Sequence, residues 1–266
     1  MKDKKLVFLS DGDAIIELEK DTSVSCVIAK KDLASTLQKH LGVIVSDDPE
    51  QSFYEIHGQL ANQGFYGRPV PSKIDPSANI HPTSYVAKES VSIGKKCRIG
   101  PMATILENSV LDDDVVIRAG TVVGGDTALS FLKQGMMTPI PSTGGVHIHS
   151  HVELHANCCV NRAVFGGYTE IGEYSKFDNL VSVGQNVKIG KRSIFPACAA
   201  IADDATIGDD VWIGPNAVIG RGVRIGDRAF VTLGSVVMDD VAPDKKVTGN
   251  PAMDHGKFIE FLKKIR

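Results

Sequence analysis

The sequence has 266 residues, of which 42% are apolar and 6% aromatic, with 26 Gly and 12 Pro; this is enough apolar material for a sizeable core and excludes a disordered chain. A net charge of −3, from 29 basic and 32 acidic residues, leaves no basic excess to hold a nucleic-acid backbone, and no stretch approaches the roughly 18 apolar residues of a membrane span. The apolar run from Leu6 to Leu9 is too short for a secretory signal, and five cysteines without a Cys-x-x-Cys pair fit a reduced, cytoplasmic protein.

Residues 1–70 read as a small α/β domain. Strands are predicted over residues 5–9, 23–29 and 41–45 from their β-branched and aliphatic runs. Leu33, Leu37 and Leu41 recur at helical spacing over residues 31–40. Asp48-Pro49-Glu50 reads as a helix start, followed by the apolar stripe Phe53, Ile56 and Leu60. Residues 66–71, with two prolines, read as an extended linker.

From Ile74 the period changes to six. Aliphatics recur at Ile74, Ile80 and Val86, then after a one-residue slip from Ile93 to Val123. A loop excursion at 124–145 interrupts them; they resume at Ile148, Leu154 and Val160 and run unbroken from Ile171 to Val237. Gly often follows the aliphatic, as at Gly172 and Gly190, and a small residue often stands four places after it, as at Ser175 and Ala205. No helix of period 3.6 produces this stride. A three-sided parallel coil does, with the aliphatic pointing inward, the small residue filling space beside it and Gly relieving crowding near the corner. The 24 hexads make about eight coils over residues 71–242, stacked as a solenoid. Residues 243–266 form a tail and a short amphipathic helix carrying Phe258, Phe261, Leu262 and Ile265, with Asp254 as N-cap, expected to cover the open coil end.

The stride resembles the left-handed parallel β-helix of hexapeptide-repeat acyltransferases. A more specific resemblance is to the UDP-3-O-acylglucosamine N-acyltransferase family. It rests on Ile74-Asp-Pro-Ser-Ala-Asn-Ile80-His-Pro, on Val160-Asn-Arg-Ala-Val-Phe and above all on Lys176-Phe-Asp-Asn-Leu-Val-Ser-Val-Gly-Gln-Asn-Val-Lys-Ile-Gly190. Residues Leu6 to Leu9 and Asp48 to Phe53 also resemble that family's nucleotide-binding domain. The resemblance implies a mainly β fold and a homotrimer with sites in the clefts between prisms. It implies transfer of an acyl group from a thioester to the amine of a nucleotide-linked sugar.

One departure falls on the chemistry. The family's catalytic His position is Gln185, while its assisting Asp matches Asp178. Gln cannot act as a base. Gln185 therefore only positions substrate beside Asp178 and Asn179, or another His has taken over, or activity is lost. His155 and His149, in the cluster His147, His149, His151 and His155, are the substitute bases. These are read as surface or cleft histidines, and no metal is assigned. Asn157 and Asn186 are candidate substrate contacts or structural corner residues, and Arg162 binds phosphate or the sugar, or forms a cleft salt bridge between subunits. Cys158 is read as core packing rather than a nucleophile. Phe8 matches a family aromatic that stacks on the nucleotide base, whereas the second such position falls on Ala14. The excursion at 124–145 is read as a flap over the site.

A second departure concerns the donor. The family's longer helical extension, which meets acyl carrier protein, corresponds here to one short helix. Lys246-Val-Thr-Gly-Asn-Pro-Ala252 resembles instead the ending of coenzyme A-dependent hexapeptide acetyltransferases. Gly234, Ser235, Lys246, Val247, Gly249 and Pro251 are therefore expected to line acyl-CoA, a co-substrate, with no permanently bound cofactor. The expected reaction is N-acylation of a dTDP- or UDP-linked 3- or 4-amino-dideoxy sugar for a surface glycan. The alternatives are the lipid A enzyme itself, UDP-3-O-acylglucosamine N-acyltransferase, and a non-catalytic nucleotide-sugar-binding homologue.

Overall fold

The computed structural model describes residues 5–11, 18, 21–37, 40–67, 69–133, 135–249 and 255–265. The chain forms two compact units, one of residues up to 68 with Ala128–Pro141, the other of Pro69–Thr127 with Ser142–Arg266. Among the described residues no helix is long and apolar enough to cross a membrane.

In the first unit, strands Lys5–Leu9, Val24–Ala29 and Gly42–Val45 form a parallel sheet in chain order. The helix predicted over 31–40 is only Lys31–Ala34. Ser35 Oγ and Thr36 Oγ1 donate to the carbonyls of Asp32 and Leu33, at 2.7 and 2.8 Å, which draws the backbone out of the helix. Leu37 and Leu41 still reach the core with Val27 and Ala29. The helix Pro49–Asn62 forms as expected: Asp48 caps it by accepting the Gln51 N–H at 2.9 Å.

The excursion is a built part of this unit. Ser130–Lys133 pairs antiparallel with Met136–Pro139 as a hairpin. Lys133 Nζ lies 3.1 Å from Glu55 Oε1, and the Phe131 ring lies 5.5 Å from Tyr54. His57, 3% exposed, bonds the Tyr66 hydroxyl through Nδ1 at 2.7 Å and the Pro141 carbonyl through Nε2 at 2.8 Å.

The second unit is a parallel β-helix with three faces of eight, nine and eight strands. It carries the eight coils that the stride specifies, with Lys246–Val247 as the additional strand of the second face. The inward aliphatics form one continuous core from Ile93 to Val237. Ladders keep them in line, for example Ile148 opposite Ile171 and Ile171 opposite Ile189. The small residues four places on are buried too. Ser175 Oγ donates to Gly190 O at 2.9 Å and accepts the Ser193 N–H at 3.1 Å, so the hydroxyl also links coils.

Gly after the aliphatic is required by the neighbouring coil rather than by its own backbone. A Cβ on Gly172 would fall 2.6 Å from the Gly190 carbonyl carbon, and one on Gly190 2.6 Å from that of Gly208. The left-handed position is two places later and is seldom Gly: Asn186, Arg192 and Asp204 have φ of 58°, 57° and 62°.

The helix His255–Ile265 forms where the spacing puts it, and the described side chains of its expected stripe are Phe261 and a half-buried Leu262. Ile259 and Phe261 remain 37% and 49% exposed. Its expected N-cap, Asp254, lies outside the described residues.

Candidate active site

The corner that follows the second face gathers the polar groups best suited to acyl transfer. Glu153–Leu154 and Lys176–Phe177 are neighbouring strands of that face, in register Leu154 to Phe177. The residue after each inward side chain therefore projects at the same corner, His155 above Asp178. His155 Nδ1 lies 3.9 Å from Asp178 Oδ1, and its Nε2 lies 3.8 Å from Glu153 Oε2. The imidazole is thus held between two carboxylates while its side chain stays 42% exposed. Asn179 holds Asp178 in place: its backbone N–H and its Nδ2 both donate to Asp178 Oδ1, at 2.7 and 2.9 Å. Its own Oδ1 accepts the Ala156 N–H at 3.0 Å. Asn179 is therefore committed to positioning.

Lys176 Nζ donates to Glu153 Oε1 at 2.8 Å and keeps that carboxyl below its ordinary range, against the opposing effect of partial burial. Arg118 approaches the other Glu153 oxygen at 3.9 Å. Beside this constellation runs a groove of about 500 Å³ lined by His81, Arg98, Gly100, Arg118, His155 and Asn179. Two guanidiniums along such a groove suit an anionic substrate.

Gln185 is placed differently. It follows Ser182–Val183 of the third face, so it stands one corner away from Asp178. Its residue is 1% exposed, its backbone N–H donates to Asp203 Oδ1 at 3.1 Å, and its Oε1 has no hydrogen-bond partner among the described residues. The neighbouring Asn186 ties this corner to other coils: its Oδ1 accepts the Val164 N–H at 3.2 Å, and its Nδ2 donates to Asp204 Oδ1 at 2.9 Å. Replacing Gln185 with Met, of similar volume, is expected to raise stability by about 1 kcal/mol by removing a buried unpartnered acceptor. Denaturant unfolding measures this, and turnover should change only modestly.

The other candidates separate. Arg162 pairs with Asp126 of the same chain, Nε to Oδ1 at 2.7 Å. Asn157 occupies a left-handed corner position with φ of 57°. His151 leaves the histidine cluster and stacks on Tyr174, with centroids 4.6 Å apart. His147 and His149 converge instead on Asp112, which sequence reading missed. Glu153 and Arg118 were missed as well. The signal for all three was coil register: each lies one coil from a partner, with the excursion intervening between Asp112 and its histidines and between Arg118 and Glu153. Phe8 packs against Phe53 and Tyr54, with centroids at 5.3 and 6.0 Å. The residue aligned with the second base-stacking aromatic, Ala14, lies outside the described residues.

The tail is stitched to the last coil. Lys246–Val247 pairs with Phe230–Val231, Lys246 Nζ lies 4.9 Å from the Phe230 ring centre, and Ser235 Oγ accepts the Gly249 N–H at 3.1 Å. Gly234 is at a left-handed corner with φ of 63°, and Pro251 lies outside the described residues.

Cys158 is 2% exposed and donates its thiol to Asp178 O at 3.1 Å. Burial pushes it up to about 11. Cys198 is exposed and Cys97 buried. A thiol reagent at pH 8 is expected to modify Cys198 first and to reach Cys97 and Cys158 only on unfolding, as peptide mapping of the labelled sites would report.

A profile for "Bacterial transferase hexapeptide (six repeats)" matches residues 90–125 and 204–239. A UDP-3-O-acylglucosamine N-acyltransferase of Helicobacter pylori (strain ATCC 700392 / 26695) is 30% identical over 96% of this chain and 82% of its own length. UDP-3-O-acylglucosamine N-acyltransferase 2 of Legionella pneumophila (strain Paris) is 32% identical over 97% and 82%. The solved UDP-N-acetylglucosamine acyltransferase of Francisella novicida shares the fold, with a TM-score of 0.51 and 20% identity over 71% of this chain and 73% of that one. The inward stride, the Lys176 to Gly190 segment and these full-length likenesses agree, and the chain belongs to the UDP-3-O-acylglucosamine N-acyltransferase family.

Proposed function

We propose that this protein transfers an acyl group from a carrier thioester to the amine of a UDP-linked, 3-O-acylated glucosamine, with His155 as the general base. The observation that carries the chemistry is the His155 imidazole, facing Asp178 at 3.9 Å beside a groove with Arg98 and Arg118. The neutral amine attacks the thioester carbonyl, His155 takes the amine proton, and the thiolate departs. Asp178 faces the developing imidazolium, and Asn179 holds Asp178. The arginines suit the phosphates of the nucleotide or of the carrier, and Phe8 is the residue proposed to stack on the base. The working form is a homotrimer.

The relatives, UDP-3-O-acylglucosamine N-acyltransferases, support this acceptor, and they favour it over the dTDP-linked amino-dideoxy sugar to which the tail resemblance pointed. That second acceptor, with acyl-CoA, draws on the tail laid against the last coil and on Gln185 at the family's His position. Release of free thiol distinguishes the readings. The assay pairs 3-O-acylated UDP-glucosamine or dTDP-amino-dideoxy sugars with acyl carrier protein or coenzyme A thioesters. Turnover confined to dTDP-sugars supports the second acceptor. No thiol release with any pair, alongside nucleotide-sugar binding in calorimetry, leaves a non-catalytic binding protein.

A further inference from the structure

The corner that follows the first face is a different place on the prism from the His155 groove. Its position after the inward aliphatic is Gly172, Gly190, Gly208 and Gly226 in the later coils, where the approach of the next coil leaves no room for a Cβ. In the two neighbouring coils joined across the excursion that position is Asp112 and His149. Their strands pair with Leu111 opposite Ile148, so both side chains leave the same corner side by side. His147, on the outer surface of the strand Gly145–Ile148, completes the group.

The three side chains converge on one point. His147 Nε2 lies 3.0 Å from Asp112 Oδ1, and His149 Nδ1 lies 3.1 Å from Asp112 Oδ2. The two rings are 4.0 Å apart, and one donor atom from each residue falls within 4.8 Å of the others. Bonds of about 2.0–2.1 Å around tetrahedral Zn²⁺ put adjacent ligand atoms roughly 3.3 Å apart; each imidazole nitrogen stands near that distance from one oxygen of the Asp112 carboxylate, the two nitrogens facing different oxygens. The side chains are 27%, 34% and 35% exposed for His147, His149 and Asp112, so an ion reaches them from solvent. Two imidazoles and a carboxylate are a donor set for late first-row cations rather than for Mg²⁺ or Ca²⁺.

We propose that Asp112, His147 and His149 form a binding site for a divalent transition metal, Zn²⁺ foremost, with one coordination position left open. Glu170, the ladder partner of His147, is held by Lys188 at 2.6 Å, so solvent rather than a fourth side chain takes the open position. A groove of about 320 Å³, lined by His149, Glu170, Glu173, Lys191 and Asp209 among others, adjoins the site.

The test is titration of the full-length, chelator-treated protein with Zn²⁺ by calorimetry and with Co²⁺ by visible absorption. One ion per chain is expected, with a Co²⁺ band typical of low coordination number and no saturable Mg²⁺ binding. Removing a direct ligand costs at least what removing an outer partner costs, so His149→Ala and Asp112→Asn are each expected to bind about 10- to 100-fold more weakly. His155→Ala is expected to bind as the unsubstituted protein does. Thermal unfolding without metal confirms that each variant is folded; His147→Gln replaces any that is not. Absence of stoichiometric Zn²⁺ binding, or unchanged affinity in folded His149→Ala, overturns the proposal and leaves Asp112 as a hydrogen-bond acceptor for two imidazoles.

Discussion

His155→Gln is expected to lower kcat by about 10²- to 10⁴-fold, equivalent to roughly 2.7–5.5 kcal/mol of barrier, with KM for the sugar little changed. The geometry explains why this residue rather than position 185 is so sensitive. His155 is exposed to a groove and faces Asp178, whereas Gln185 is buried one corner away and bonds through its backbone. Glutamine keeps much of the imidazole's bulk and polarity but cannot accept the amine proton. A loss in kcat without a matching rise in KM therefore assigns proton transfer rather than binding. Asp178→Asn preserves shape and removes the facing charge; a smaller loss of the same kind is expected. The His155 side chain is 42% exposed, so its replacement should change unfolding free energy by no more than about 0.5 kcal/mol. A folded His155→Gln variant with undiminished kcat would remove His155 from the reaction.

The β-helix was legible because its period is local. Every inward aliphatic from Ile171 to Val237 could be placed by counting, and the core follows that count. The reason for Gly172 and Gly190 was less legible, since it lies in the backbone of the next coil. The site was legible only in pieces. Asp178 and Asn179 adjoin in sequence, but His155 meets Asp178 because Leu154 and Phe177 are ladder partners. Asp112 meets His149 only across an excursion whose length conceals the register. Counting residues along one strand grouped His151 with its neighbours, whereas the corner carries it onto Tyr174. The two short helices make a similar point. Residues 31–40 have helical spacing, yet the hydroxyls of Ser35 and Thr36 end the helix early. The last helix has the right period, yet Phe261 of its stripe stays 49% exposed, because periodicity specifies a face and not what covers it.

Phe177→Ala is expected to destabilise the β-helix by about 3–5 kcal/mol, toward the upper end of that range. Phe177 and Phe195 are 1% and 0% exposed and stack in adjacent coils, with centroids 4.4 Å apart and rings 5° from parallel. They are the two rings at inward positions of the longest aliphatic run, so removing one leaves a ring-sized void. Ladder bonds fix the spacing around that void: Lys176 N–H donates to Ser193 O at 2.9 Å and Asp178 N–H to Phe195 O at 2.8 Å. Collapse would have to break those bonds, so the cavity persists and its cost is retained. Because each coil meets only its neighbours, the weakened layer also divides the solenoid, and a broadened or two-step unfolding transition should accompany the loss. The same bonds connect the core to the chemistry. Asp178 directly follows Phe177 and hangs from the Phe195 carbonyl, so a loosened layer displaces the carboxylate that faces His155. Ile219→Ala, of comparable burial but in a later coil, should cost about 2–5 kcal/mol and leave kcat unchanged at temperatures where both variants are folded. Equal kcat in the two variants would mean that Asp178 is positioned by Asn179 alone, and not by the ring beneath it.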